Sequence, residues 1–398
     1  MVNKQKNSKS SNKKRPTKPI LKANRWLLWA GLALLLLVGY LMYRHWHDNS
    51  LDGFRATPYN IVHPLVRPSA KPQALLAPAT IKTVYNLNNK GAGSGTIAII
   101  DAFDDAKIES DLNVFSKQYG LTPCTTSNHC FEKHKMSSRV KSSSTWAIEV
   151  ALDVEWAHAI SPGAKILLVE ALSDRGNDLI SAVNYARSRS DVVAVSMSWG
   201  GNEFSSETAY ETNFTSNFGA VFFASSGDSG HGTSWPAVSA NVIGVGGTTV
   251  SLNSDGSLAS ETAWSGSGGG VSSYIIEPSR QTNFNVPSAS SHRASPDVSY
   301  NGDPNSGFPV YSSVPYNHYS GWFQVGGTSA GAPQWAAIAA LSAKTLSANK
   351  IYTDAAVSGQ TTLRDIVSGS NGSCGFYCTA QTSFDYVTGL GSPLTTSF

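Results

Sequence analysis

KILLVEALSDRGNDLISAVNYARSRSDVVAVSMS, residues 165–198, holds the pattern that decides the fold. Its two ends, 165–170 and 191–198, are short runs rich in aliphatic and β-branched residues, and 174–189 between them reads as a helix. A strand, a helix and a strand in succession build a parallel sheet covered by helices. Outward from this unit the alternation recurs. TIAIID (96–101), AVFFASS (220–226) and NVIGVGG (241–247) read as further buried parallel strands, and 106–119 and 145–160 as helices. The expectation is an α/β domain over 79–398 with a doubly wound, mostly parallel sheet and helices on both faces. Gly and Ser dominate 251–321, which is expected to form long surface loops.

A chain of 398 residues with 41% hydrophobic content can bury a sizeable core. Residues 1–25 hold nine Lys or Arg and no acid, which leaves 21 basic against 27 acidic groups elsewhere. An acidic body lacks the basic face that phosphate binding needs, so nucleic acid is excluded as the partner of the main domain. WLLWAGLALLLLVGYLMY (26–43) is uncharged, has aromatic residues near both ends and is flanked by Arg25 and Arg44. Its length is about that of a hydrocarbon core, so one N-terminal transmembrane helix is expected, with the tail 1–25 cytoplasmic and the domain extracytoplasmic. A cleaved signal segment, which would leave the domain secreted, is the alternative.

Residues 44–78 contain five prolines without sustained periodicity and read as an extended stalk or short pro-segment, too short for a folded pro-domain. The four cysteines fall as Cys124 with Cys130 and Cys374 with Cys378, which suits two loop-closing disulfides in an oxidising compartment. Zinc, with His129 beside Cys130, is the alternative, but ligand spacing is lacking.

In GGTSAGAPQWAAIAAL (326–341) two glycines precede Thr328, Ser329 and a helix of small residues. That turn places Ser329 at a helix N-terminus, where backbone N–H groups face a substrate oxygen and Pro333 is tolerated in the first turn. An ordinary helix cap is the competing reading. A serine hydroxyl needs a base to act as a nucleophile. None of the nine histidines has a suitable setting, His158 being the least remote. Instead TWAIEVALDVEWAHAI (145–160) carries Glu149 and Asp153 one turn apart on an otherwise apolar helix. Such a pair is either a solvated face or a buried, proton-sharing couple. SSGDSG (225–230) follows an apolar strand and puts Asp228 at the carboxyl ends of the strands, unless it merely forms a turn.

These residues, together with ATIKTVYNL (79–87), SMSWGG (196–201), WPAVSANVIGVGGTT (235–249), SPDVSY (295–300), VGGTSAGAP (325–333) and FDYVTGLGSP (384–393), resemble the sedolisins, serine-carboxyl peptidases that share the subtilisin fold. The resemblance covers about 78–396 in the family's order. It implies a peptidase acting on protein or peptide substrates at acidic pH, whether as an endopeptidase or of tripeptidyl type. Ser329 would be the nucleophile, Glu149 its general base and later acid, Asp153 the group orienting Glu149, and Asp228 the oxyanion partner. A carboxylate donates no hydrogen bond, so Asp228 must be protonated in that role.

Asp101 matches the position where kumamolisin-like members extend the carboxyl network with a Glu. Ser198, Trp199 and Gly200 would bind peptide main chain, with core packing the alternative for Trp199. One calcium ion is implied, held by the carboxylates of Asp365 and Asp385 and the carbonyls of Ile366, Gln381 and Ser383. An inactive binding protein on this fold and a histidine-dependent subtilisin-like enzyme are the rival readings.

Overall fold

The computed structural model describes residues 25–48, 50–65, 76–88, 90–342, 345–357 and 362–395. The chain divides into two units after Trp46. Helix α1 (Arg25–Asp48) stands in the first, with Leu34 to Leu37 exposed. Among the described residues no helix is long and apolar enough to cross a membrane, so the expected transmembrane helix is unsupported. The basic tail, except Arg25, lies outside the described residues.

Residues 50–65 belong to the second unit, which also holds strands β1 (Thr57–Pro58) and β2 (Ile61–Pro64) and helix α2 (Pro78–Val84). Its frame follows as β3 (Thr96–Ala102), α3 (Ile108–Tyr119), β4 (Phe131–Lys135), α4 (Ser144–Ile160), β5 (Lys165–Ala171), α5 (Gly176–Arg187), β6 (Val192–Met197), β7 (Trp199–Gly200), β8 (Val221–Ser225) and β9 (Val242–Leu252). Every residue of β3 and β6 is buried, as continuous apolar runs in a sheet covered on both faces require.

The segment 251–321 departs from the expected loops. It supplies β10 (Leu258–Ala263), β11 (Gly270–Ile276), α6 (Ser279–Phe284), β12 (His292–Ser295), β13 (Val298–Asn301) and β14 (Phe308–Tyr316), and β15 (Tyr319–Gly326) follows. β10, β11 with β12, and β14 with β15 pair antiparallel, with one face partly open to water, so their serines and glycines do not read as apolar runs. Helices α7 (Gly331–Leu341) and α8 (Ala348–Ala355) follow, and then a short antiparallel pair, β16 (Leu363–Arg364) with β17 (Ser392–Pro393).

The main sheet runs β10-β9-β8-β6-β3-β5-β4, with β13 also paired to β9, and is parallel throughout except at β10. Strand order reverses about β3, which is flanked by β5 and β6. A doubly wound sheet opens a crevice at such a point, beyond the carboxyl ends of its strands. Helix α4 packs against α3, α7, β3 and β14, and all of 146–160 is buried, because a helix apolar on every side has no solvent face to offer.

Candidate active site

Each candidate side chain reaches the crevice from a different element. Asp101 ends β3, Ser198 follows β6, Asp228 follows β8, α4 contributes Glu149 and Asp153, and Ser329 lies in a single 3-10 turn that runs into α7. Gly327 precedes that turn with φ 117°, a left-handed conformation that glycine adopts without strain.

Ser329 is buried, and its Oγ donates to the Ser198 carbonyl at 3.0 Å. Its main-chain N–H donates to the Tyr59 carbonyl at 3.1 Å. Glu149 accepts a hydrogen bond on Oε2 from the Asn60 amide. Burial and then the charge of Asp101 push its carboxyl well above the usual range, while the nearby Ser329 hydroxyl and the Asn60 amide act the other way. Asp153 is raised likewise, first by burial and then by Asp101 and Glu149. Asp101 is pushed up to about 8 by burial and by Glu170, its neighbour in register on β5. Sequence pattern at Glu149 and Asp153 therefore leads to a buried couple instead of a solvated face.

Asp228 keeps part of its surface open, yet its Oδ2 is buried without a partner. Oδ1 accepts from the Thr328 N–H and hydroxyl, both at 2.8 Å. Burial pushes this carboxyl up to about 7 against the pull of those two bonds. That shift favours the neutral form of Asp228 in acid. Thr328 escaped the sequence reading although it sits inside the quoted motif. Tyr59 and Asn60 escaped it because β1 is two residues long and gives no periodic signal.

Residues 143–374 match the model of the subtilase family. The chain belongs to the subtilase family. Within it the chain fits the sedolisin branch: it is 28% identical to sedolisin of Pseudomonas sp. (strain 101) over 356 residues, 79% of this chain and 59% of that protein. Kumamolisin of Bacillus sp. (strain MN-32) is 35% identical over 221 residues, covering 48% of this chain and 38% of that one. The chain thus spans well under two thirds of these relatives' length. A solved Pseudomonas sedolisin, complexed with two molecules of pseudo-iodotyrostatin, superposes with a TM-score of 0.67 at 27% identity, over 79% of this chain and 94% of that one. Sphericase, at 18% identity and a TM-score of 0.51, shares the fold alone.

In this subtilase the remaining candidates lie as follows. The Trp199 indole is buried and donates to the Ile100 carbonyl at 2.7 Å, so its side chain packs the core, while the main chain of Trp199 and Gly200 pairs with Pro58 and Thr57. His158 is buried, bonds through Nε2 to the Thr122 carbonyl at 2.8 Å and is lowered by burial. Among the described residues no histidine hydrogen-bonds Ser329. Cys124 and Cys130 are joined, as are Cys374 and Cys378, so neither pair offers thiolates to a metal.

At the expected calcium position, Asp365 Oδ2 accepts from the Ser383 N–H at 2.8 Å and its Oδ1 is buried without a partner. Asp385 accepts from the N–H groups of Val387 and Thr388 and from the Thr388 hydroxyl, each at 2.8 Å, and from the Gln381 N–H at 3.3 Å. Ser383 adopts φ 73°, the left-handed backbone that glycine favours. Asp365 therefore fits a hard cation, with an oxygen in want of a partner, whereas Asp385 would have to release the Gln381 N–H.

Proposed function

We propose that this chain is a serine-carboxyl peptidase that hydrolyses peptide bonds of protein substrates at acidic pH. The observation that carries the reading is a buried serine hydroxyl at the start of a helix, beside a cluster of buried carboxyls that burial and mutual repulsion raise so that they share protons, with no histidine hydrogen-bonded to it among the described residues. Ser329 Oγ attacks the substrate carbonyl carbon as its proton passes to an ionised Glu149. Asp153, sharing a proton with Glu149, fixes the orientation of that base. Neutral Asp228 and the Ser329 N–H donate to the oxyanion. Glu149 then protonates the leaving amine, and water hydrolyses the ester by the same route.

One ionised carboxyl among neutral neighbours is the working state. It is lost on the acid side when Glu149 is protonated, and toward neutrality when Asp228 ionises. The cleft takes chain on both sides of Ser329, along β7 with 57–58 and along β15 with 61–64, which favours an endopeptidase over the tripeptidyl type. The two disulfides support work outside the reducing cytoplasm. A calcium ion at Asp365, with carbonyls of Ile366, Gln381 and Ser383, belongs to the same reading and is supported by the unpartnered Oδ1.

The test is the pH–rate profile on denatured casein beside Ser329→Ala. An acid optimum, falling as pH approaches about 7 and abolished by the substitution, is expected. A rate that climbs through neutrality would replace the carboxyl base by histidine.

A further inference from the structure

The loop that carries Asp228 does not fix its own shape. It turns through Gly227 at φ 117° and Gly230 at φ 77°, left-handed positions at which a glycine backbone keeps its wide freedom until other bonds remove it. On its inner side Thr328 grips the loop, through the two bonds to Asp228 Oδ1 and a 3.1 Å bond from the Gly227 N–H to the Thr328 hydroxyl. On its outer side it is laced to a second turn, 266–269. The Gly268 N–H donates to the Gly227 carbonyl at 2.8 Å, the Gly230 N–H to the Gly266 carbonyl at 2.9 Å, and the Gly232 N–H to the Gly269 carbonyl at 2.8 Å. That second turn reads GSGG, so it too is nearly all backbone.

Asn371, between β16 and β17, ties the two turns to each other. Its carbonyl accepts from the His231 N–H at 3.1 Å, and its side-chain Nδ2 donates to the Ser267 carbonyl at 2.7 Å. The residue is buried, and a Cβ on Gly230 would lie 2.6 Å from its carbonyl oxygen, so the two segments meet with no room for a side chain between them. Asn371 is itself held from outside. Its N–H donates to the Cys378 carbonyl at 3.0 Å, Ser370 pairs with Thr379, and the Cys374–Cys378 disulfide closes the turn that joins them. A Cβ on Gly372 would lie 2.9 Å from Cys378 Sγ, so the disulfide rests directly on the chain next to Asn371.

We propose that Asn371 is a positioning residue for Asp228, and that the Cys374–Cys378 turn is the brace that keeps Asn371 in place. The proposal rests on the peptidase reading above. Asp228 serves an oxyanion only if Oδ2 stands within hydrogen-bond reach of it, and Thr328 holds the carboxyl by the other oxygen alone. The carboxyl swings about that oxygen unless the main chain at 227–231 is fixed as well. Asn371 fixes it by joining the loop to the turn 266–269, without touching the reacting atoms. Alanine at 371 keeps the carbonyl that meets His231 but takes the donor from the buried Ser267 carbonyl, which frees the second turn and, through its three bonds, the first. A shift of about 1 Å at a reacting group costs about 10²-fold in rate, so a loop loosened by one bond is expected to lose about tenfold.

The test is a double-mutant cycle on casein hydrolysis at about pH 4, with the parent chain, Asn371→Ala, Asp228→Ala and the chain carrying both, each assayed well below its own unfolding midpoint. Asn371→Ala should lower kcat about tenfold with KM within about twofold of the parent, and should slow the Asp228→Ala chain no further, because the group it positions is already gone. A merely structural role would slow both backgrounds by the same factor, or lower the unfolding midpoint and leave kcat alone, and either result overturns the proposal. If Asn371→Ala does not fold, Cys374→Ser with Cys378→Ser takes its place in the cycle, since that chain keeps Asn371 and loses only the brace. Its kcat should fall about threefold beside Asp228 and stay unchanged beside Asp228→Ala, and equal losses in the two would again overturn the proposal. A well-folded parent chain that leaves casein intact would sink the peptidase reading itself, whereas an active parent with an unaltered Asn371→Ala kcat sinks the positioning role alone.

Discussion

In the proposed mechanism Asp228 is the residue whose protonation decides what the site can do. Its Oδ1 is committed to Thr328, so only Oδ2, buried and unpartnered, is left to face a developing oxyanion, and only with a proton on it. Asparagine in its place would keep an oxygen toward Thr328 and aim an N–H₂ where Oδ2 now lies, a donor at every pH. Asp228→Asn should therefore retain measurable kcat and lose much of the decline toward neutrality set by the carboxyl near 7. Asp228→Ala removes the donor and should lower kcat by about 10²–10³-fold with KM little changed. A kcat within a few-fold of the parent in Asp228→Ala would remove Asp228 from the oxyanion role. At this scale the sequence is most informative where chemistry demands an unusual pattern: two carboxyls one turn apart on an apolar helix have no bland use once buried. It is least informative at Tyr59 and Asn60, which act through a carbonyl and an amide that almost any residue could carry.

Among the elements, the buried parallel strands and the three sheet-covering helices were legible because their apolar runs or faces are enforced by burial on both sides of the sheet. The strands between 258 and 316 were not, since mixtures of serine and exposed apolar residues such as SSYII (272–276) satisfy an antiparallel edge as readily as a loop. The C-terminal segment 363–393 poses a different question, because its shape depends on two acids. Asp365 is raised by burial, opposed by the Ser383 N–H, so the segment carries an uncompensated carboxyl unless a cation or a proton joins it. If calcium binds there, chelation should lower the midpoint of thermal unfolding by about 5 °C at a fixed mildly acidic pH, an effect reversed by added calcium and lost in Asp365→Asn. An unchanged midpoint on chelation would count against the ion and leave protonation as the way Asp365 is accommodated.

For the whole molecule, the buried acids set a direction for stability against pH that differs from the ordinary case. Asp101 is raised to about 8 and Asp228 to about 7 from 3.8, and Glu170 to about 7 from 4.5, with burial the first cause in each. Between their unfolded and folded values the native chain binds more protons than the unfolded one, so the stability these groups contribute is complete below about pH 4 and is lost as pH rises through 7 to 8. A buried acid such as Asp101 is worth several kcal/mol over that window. Glu132 and Asp191, each bonded to Arg189, titrate below the usual range and act the other way, but only as pH falls toward their own low values. The maximum therefore lies in acid, between these two sets. Ser329→Ala, chosen so that self-digestion does not intervene, should unfold at a higher temperature at about pH 4.5 than at about pH 7.5 with calcium present throughout. The opposite order would mean that Asp101, Glu149, Asp153 and Asp228 are ionised in the native state and compensated by charge from outside the cluster. On the proposed mechanism an enzyme built this way is tied to acidic surroundings twice over, since protons of the kind that would complete its oxyanion site also hold its centre together.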